Sequence, residues 1–102
     1  WYPDYLDPDD YLWPFLSESG AKSMGAFYKN EWVEEMMLQA RKESDMQARS
    51  ELYKKVQQYL AEDVPYVPLW QGKQFCVARP YVKGILLEPT QIFRYYLLYI
   101  EQ

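Results

Sequence analysis

The 102-residue chain contains no histidine. That absence removes the usual general base, the commonest zinc ligand and most hydrolase triads. Cys76 is the only cysteine, which excludes an intrachain disulfide. With no histidine or clustered cations near it in sequence to activate it, Cys76 reads as a small buried hydrophobe. No glycine-rich phosphate loop occurs. No apolar run approaches the roughly 18 residues of a membrane-spanning helix, and the first residues lack the basic, apolar, small-residue order of a signal peptide. Lysine and arginine number 11 against 15 aspartates and glutamates, giving a formal charge of -4 and a pI near 4.8. Sequence-independent binding to nucleic acid needs clustered cations, so nucleic acid is not an expected partner.

What the chain does have is aromatic rings: 19% of its residues, eleven of them tyrosines, within a 49% hydrophobic composition suited to one small domain. Tyrosine pairs a large apolar face with a polar tip, which suits ligand clefts and interfaces as well as cores. The opening stretch WYPDYLDPDD concentrates the puzzle, setting four aspartates among Trp1, Tyr2 and Tyr5 with no basic residue. Most of that acidity has a local explanation. Asp7 is a good N-cap with Pro8 at the first helical position, and Asp10 falls at the third, where a carboxylate complements the helix dipole, so Asp7, Asp9 and Asp10 read as a short helix start. A calcium loop would need a glycine at its sixth position and a distal glutamate, and neither occurs at that spacing. Asp4 is left over, in a segment flanked by aromatics, where a carboxylate can meet an ammonium group or sugar hydroxyls while the rings cover apolar parts. Its bland alternative is a surface aspartate in a turn before a helix.

Farther along, Pro14 should stop the first helix early, and SESGAKSMGAFYK, residues 17–29, reads as a surface loop. Asn30 then caps an amphipathic helix with Val33, Met36, Met37 and Ala40 on one face and Trp32 beside them. Ser44 or Asp45 caps a second, whose stripe is Ala48, Leu52, Val56, Tyr59 and Leu60, with Glu51 placed to pair with Lys55. The short connection predicts an antiparallel helical hairpin over about 31–62, ended by Asp63 and Pro65. Short strands are expected over about 66–87, in YVPLW, KQFCVAR and GILL. A further strand is expected in IFRYYLLYI, within 89–102, apolar enough to need cover on both faces. The fold class is therefore mixed α/β (α+β), a helical hairpin with short mixed or antiparallel strands. A first residue that is Trp rather than Met suggests a piece of a larger protein.

Four blocks in one order carry a resemblance: W-x-x-D-Y-x-D-P, then A-R-x-x-x-D-x-x-x-R-x-x-L-Y, then E-D-x-P-Y-x-P-L, then V-A-R-P-x-V-x-G. Together they resemble the C-terminal part of the family 5 extracellular solute-binding proteins, the peptide, dipeptide, nickel and oligosaccharide receptors of ABC importers. The resemblance implies a fragment of a two-lobed, type II periplasmic-binding-protein fold. In it, residues 1–88 belong to the second ligand-binding lobe and 89–102 return toward the first. It implies reversible binding without catalysis, cofactor or metal. Asp4 would meet the ligand's α-ammonium while Trp1 and Tyr2 line the cleft. Tyr2 and Pro3 stand where peptide binders often have smaller residues, and aromatic platforms also serve oligosaccharides, so a peptide is the first expectation for the solute and an oligosaccharide the second. The implied partners are the importer's permease subunits. The implied location is periplasmic or extracellular, free or lipid-anchored. A fragment of such a fold would be expected to self-associate.

Two other readings compete. A free-standing module could use the aromatic surface to bind a protein partner. An enzyme would need Asp4 paired with another acid such as Glu88, as in glycoside hydrolysis, and nothing in the sequence places those two together.

Overall fold

Asp7 begins the first helix as its neighbours dictate: it has extended backbone angles and its side chain accepts a 2.8 Å hydrogen bond from the amide of Asp9. The helix, α1, spans Pro8–Leu16 in a computed structural model that describes residues 1–102. Two compact units make up the chain, one formed by Asp7–Pro68 and the other by Trp1–Leu6 with Leu69–Gln102.

In the helical unit, Pro14 lies inside α1 instead of stopping it before residue 14. The lost amide falls in the last turn, where a proline interrupts little. Ser17 then closes the helix by donating from both its amide (3.1 Å) and its hydroxyl (2.8 Å) to the carbonyl of Trp13. The expected loop over 17–29 also holds a helix, α2, Glu18–Ser23. Ser17 caps it by accepting from the amide of Gly20, and composition explains why it packs: a Cβ on Gly20 would stand 2.6 Å from the carbonyl oxygen of Pro14. Small residues that read as a flexible loop in fact permit close helix packing.

The hairpin consists of α3, Glu31–Lys42, and α4, Met46–Asp63. Asn30 accepts from the amide of Val33 at 3.1 Å, and Asp45 from that of Ala48 at 2.7 Å. Val33, Met37 and Val56 join Leu16 in the core, ringed by Leu12, Trp13, Phe15, Met36, Leu60 and others. The expected stripe on α4 holds in part: Val56 is buried and Ala48, Leu52 and Leu60 are half-buried, whereas Tyr53, outside that stripe, is buried, and Tyr59 is exposed and stacks on Trp32 with ring centroids 5.0 Å apart. Tyr53 and Val56 lie three residues apart, as the helical period requires of one face. Glu51 pairs with Lys54 at 2.7 Å rather than with Lys55. Val64 takes left-handed angles, and the helix ends there before Pro65.

The second unit carries one two-stranded antiparallel sheet, β1 Val82–Lys83 with β2 Tyr99–Ile100. Val82 faces Ile100 and Lys83 faces Tyr99, and an ion pair between Lys83 and Glu101 (3.1 Å) extends the pairing. Gly84 has a φ of +79°, and a Cβ there would fall 1.8 Å from the carbonyl oxygen of Leu97, so this turn accepts only glycine. The strands expected in YVPLW and KQFCVAR do not form a ladder. Apolar alternation makes a segment suitable for a sheet but supplies no partner for its backbone groups, and Pro65 and Pro68 remove two donors. IFRYYLLYI is likewise interrupted by a 3₁₀ turn at Tyr95–Leu97 before β2 begins. Its tyrosines are exposed rather than covered on both faces, and Cys76 is exposed rather than buried. The architecture is thus mixed helix and short antiparallel sheet. No helix is long and apolar enough to cross a membrane.

Candidate functional site

The three residues singled out for ligand contact, Trp1, Tyr2 and Asp4, lie together on the first six residues, in the unit that contains the small sheet. All three are exposed, Trp1 at 63% and Tyr2 at 51%. Pro3 between them is buried, so the segment is held by a residue that offers no amide of its own. Tyr5 adds a fourth exposed polar or aromatic side chain to the stretch. A carboxylate set among accessible rings can accept hydrogen bonds from a cationic or hydroxylated ligand while the rings cover its apolar parts. In the same unit, Lys73, Phe75, Leu86, Leu87, Ile92 and Phe93 are among the residues lining a groove of about 380 Å³. Trp1, Tyr2 and Asp4 do not line it. Glu88, the acid that a glycosidase reading would pair with Asp4, is held by Arg94 through both carboxylate oxygens. Those lone pairs are committed to a guanidinium, which argues against a general-acid role.

The acids of the opening stretch that were assigned to helix initiation do more than that. Asp7 takes two hydrogen bonds from Arg49, at 2.7 and 2.8 Å, while capping α1. Asp9 takes two from Arg41, both at 2.7 Å, and the hydroxyl of Tyr53 stands 3.4 Å from it. Arg41 lies over the ring of Trp13, 3.7 Å from its centroid, which adds a cation–π contact. Arg49 also donates to the carbonyl of Ala40 at 3.0 Å, bracing the turn between α3 and α4. The start of α1 is therefore gripped by two forked ion pairs whose partners lie 32 and 42 residues away in sequence.

Electrostatics follow from this geometry. The Arg49 hydrogen bonds, aided by the Asp9 amide, hold the Asp7 carboxyl below its ordinary value although burial opposes the shift. Burial, with the Asp9 charge beside it, pushes the Tyr53 phenol up. Both oxygens of each aspartate receive guanidinium donors, the function a cation would otherwise serve. The sequence offered one clue to these pairs. Arg41 and Arg49 are the two arginines of the A-R-x-x-x-D-x-x-x-R run, and the acid-rich first turn of α1 has no cation of its own.

No family model matches the chain, and no solved structure matches it. Relatives of known designation do. Over 91 residues, 87% of this chain, it is 36% identical to Di/tripeptide-binding protein 4 of Pseudomonas aeruginosa, of which that covers 17%. It is 32% identical to the periplasmic oligopeptide-binding protein OppA of Salmonella typhimurium, over 82% of this chain and 15% of that protein. It is 30% identical to Heme-binding protein A of Haemophilus influenzae, over 87% of this chain and 16% of that protein. Each of these relatives is designated a binding protein. The chain is related to the family 5 extracellular solute-binding proteins, as the order of its four motifs implies. It spans less than a fifth of the length of each of these relatives.

Proposed function

We propose that this chain is a segment of the solute-binding component of an ABC import system, capturing a peptide reversibly outside the cytoplasmic membrane. The observation that carries the reading is the likeness, over most of the chain, to proteins designated as di/tripeptide- and oligopeptide-binding. In this reading Asp4 anchors the ligand's ammonium group, and Trp1 and Tyr2 form apolar walls beside it. The exposure of all three in one short stretch supports that role. Residues 1–88 belong to the second lobe of a two-lobed receptor and 89–102 lead back to the first. The loaded receptor delivers its solute to permease subunits from the periplasm or from a lipid anchor.

Asp4→Asn in the receptor that carries this chain tests the assignment by calorimetry against tri-alanine and an oligosaccharide panel. Loss of a charge-assisted bond to an ammonium should weaken peptide binding by roughly 2 to 4 kcal/mol, whereas a neutral sugar loses less because asparagine still offers hydrogen bonds. Unchanged affinity for the cognate solute would remove Asp4 from the cleft.

A further inference from the structure

Residues 69–78 take part in no backbone–backbone hydrogen bond. Every residue from 67 to 81 is exposed, Trp70 at 83% and Val77 at 96%. Within this run, residues 73–79 alternate as a strand does: in extended backbone Lys73, Phe75, Val77 and Arg79 share one face, and Gln74, Cys76 and Ala78 the other. Pro68 and Pro80 bracket the run, each lacking the amide with which a ladder would continue. Apolar side chains on unpaired, fully exposed backbone mark a strand edge without its neighbour. Charge sets this region apart as well. Residues 64–87 hold three cations, Lys73, Arg79 and Lys83, and no acid, in a chain of formal charge -4. Lys83 pairs with Glu101, whereas Lys73 and Arg79 have no ion-pair partner.

We infer that residues 73–79 are a docking edge for an extended strand of the same receptor from outside these 102 residues, apolar at its centre and with a carboxylate toward each end; this rests on the reading of the chain as a segment of a longer solute-binding protein. The relatives supply the length. The chain matches only 15 to 17% of each of the three named above, so most of such a receptor lies outside it. In strand addition, main-chain pairing satisfies the amides and alternate side chains select the partner. Here Phe75 and Val77 call for apolar neighbours, while Lys73 and Arg79, about 20 Å apart in extended chain, each call for an acid opposite. A second copy fails that requirement. Antiparallel pairing that brings Phe75 onto Val77 sets Lys73 opposite Arg79 twice over, and parallel in-register pairing sets each cation beside its own copy. Like charges so placed destabilise a sheet. Phe75, Cys76, Val77 and Ala78 present apolar groups to both faces, the pattern of a strand covered on both sides and hence of a permanent contact. In the same unit, Leu86, Leu87, Ile92 and Phe93 line the groove that Phe75 and Cys76 share, which gives the incoming strand an apolar bed.

Hydrogen exchange on the complete receptor without added solute, and on the 102-residue chain, tests the edge. In the receptor, amides among residues 74–78 should exchange at least about a hundredfold more slowly than in the isolated chain at low concentration, as paired strands do. The Cys76 thiol should likewise react more slowly with an aqueous alkylating agent. Lys73→Glu/Arg79→Glu gives a second measurement: it should lower the melting temperature of the receptor and leave the urea midpoint of the 102-residue chain in place, because neither cation has a partner there. Equal exchange in the two proteins overturns the inference. Protection in the isolated chain that rises with its concentration overturns it too, by making a second copy the occupant, as does protection in the receptor that appears only with tri-alanine, which makes the solute the occupant. An unchanged melting temperature in the charge-reversed receptor removes the carboxylates from the partner strand. A receptor that binds no peptide refutes the solute assignment instead, and the exchange result still decides whether the edge is paired.

Discussion

Replacing Asp7 separates two contributions that share one side chain. As an N-cap alone, its loss to alanine would cost about 1 kcal/mol. The structure adds two charge-assisted hydrogen bonds from Arg49, with the arginine side chain 15% exposed and the aspartate 29%. That burial lies between a surface pair, worth up to about 1 kcal/mol, and a fully buried one, whose disruption costs about 3 to 5. An intermediate figure of about 2 kcal/mol for the pair brings Asp7→Ala to roughly 3 in total. Asp7→Asn keeps the cap and should lose only about 2. Arg49→Met leaves the cap intact, and the double variant Asp7→Ala/Arg49→Met should reveal a coupling of about 2 kcal/mol. Urea unfolding of the 102-residue chain, followed by circular dichroism, measures the wild type and all four variants. The pair also has a pH signature. Because the folded Asp7 carboxyl sits below the ordinary value of 3.8, its contribution is fully present above that value and is lost as pH falls through the lower, folded one. The gap between wild type and Asp7→Asn should accordingly hold at neutral pH and narrow below 3.8. A loss of only about 1 kcal/mol for Asp7→Ala, without coupling to Arg49, would show that Asp7 is a cap and nothing more.

Gly20→Ala should destabilise the helical unit by roughly 1 to 3 kcal/mol in the same unfolding assay, although alanine ordinarily favours a helix, because the new Cβ meets the Pro14 carbonyl. A neutral or stabilising result would mean that α1 and α2 separate at no cost. Isolated, the 102-residue chain should bind tri-alanine and oligosaccharides weakly or not at all, since one short stretch of carboxylate and rings cannot desolvate a ligand; submicromolar calorimetric binding by the monomer would contradict this. The same chain should self-associate in light scattering over a concentration series, given exposed Trp70, Phe75 and Val77 on backbone that no strand pairs. A monodisperse monomer at high concentration counts against it.

Local chemistry was legible from the sequence wherever the interaction spans a few residues. Asp7, Asn30 and Asp45 each cap the helix that follows, because an N-cap needs only its own side chain and an amide two or three positions on. Val33, Met37 and Ala40 are buried as their spacing required, since helical periodicity alone puts them on one face. The order of the four motifs was legible too, because it lies in the sequence itself and matches that of the solute-binding relatives. Tertiary structure decided what depends on a distant partner. Ser17 and Gly20 look like loop residues until α1 supplies the surface against which α2 closes. KQFCVAR alternates as a strand would but finds no strand to pair with. Nothing within reach of Arg49 along its own helix indicates its partner; half-buried, it is satisfied by both carboxylate oxygens of Asp7, 42 residues earlier. A sequence states which groups must be satisfied; only the folded chain shows which distant group satisfies them.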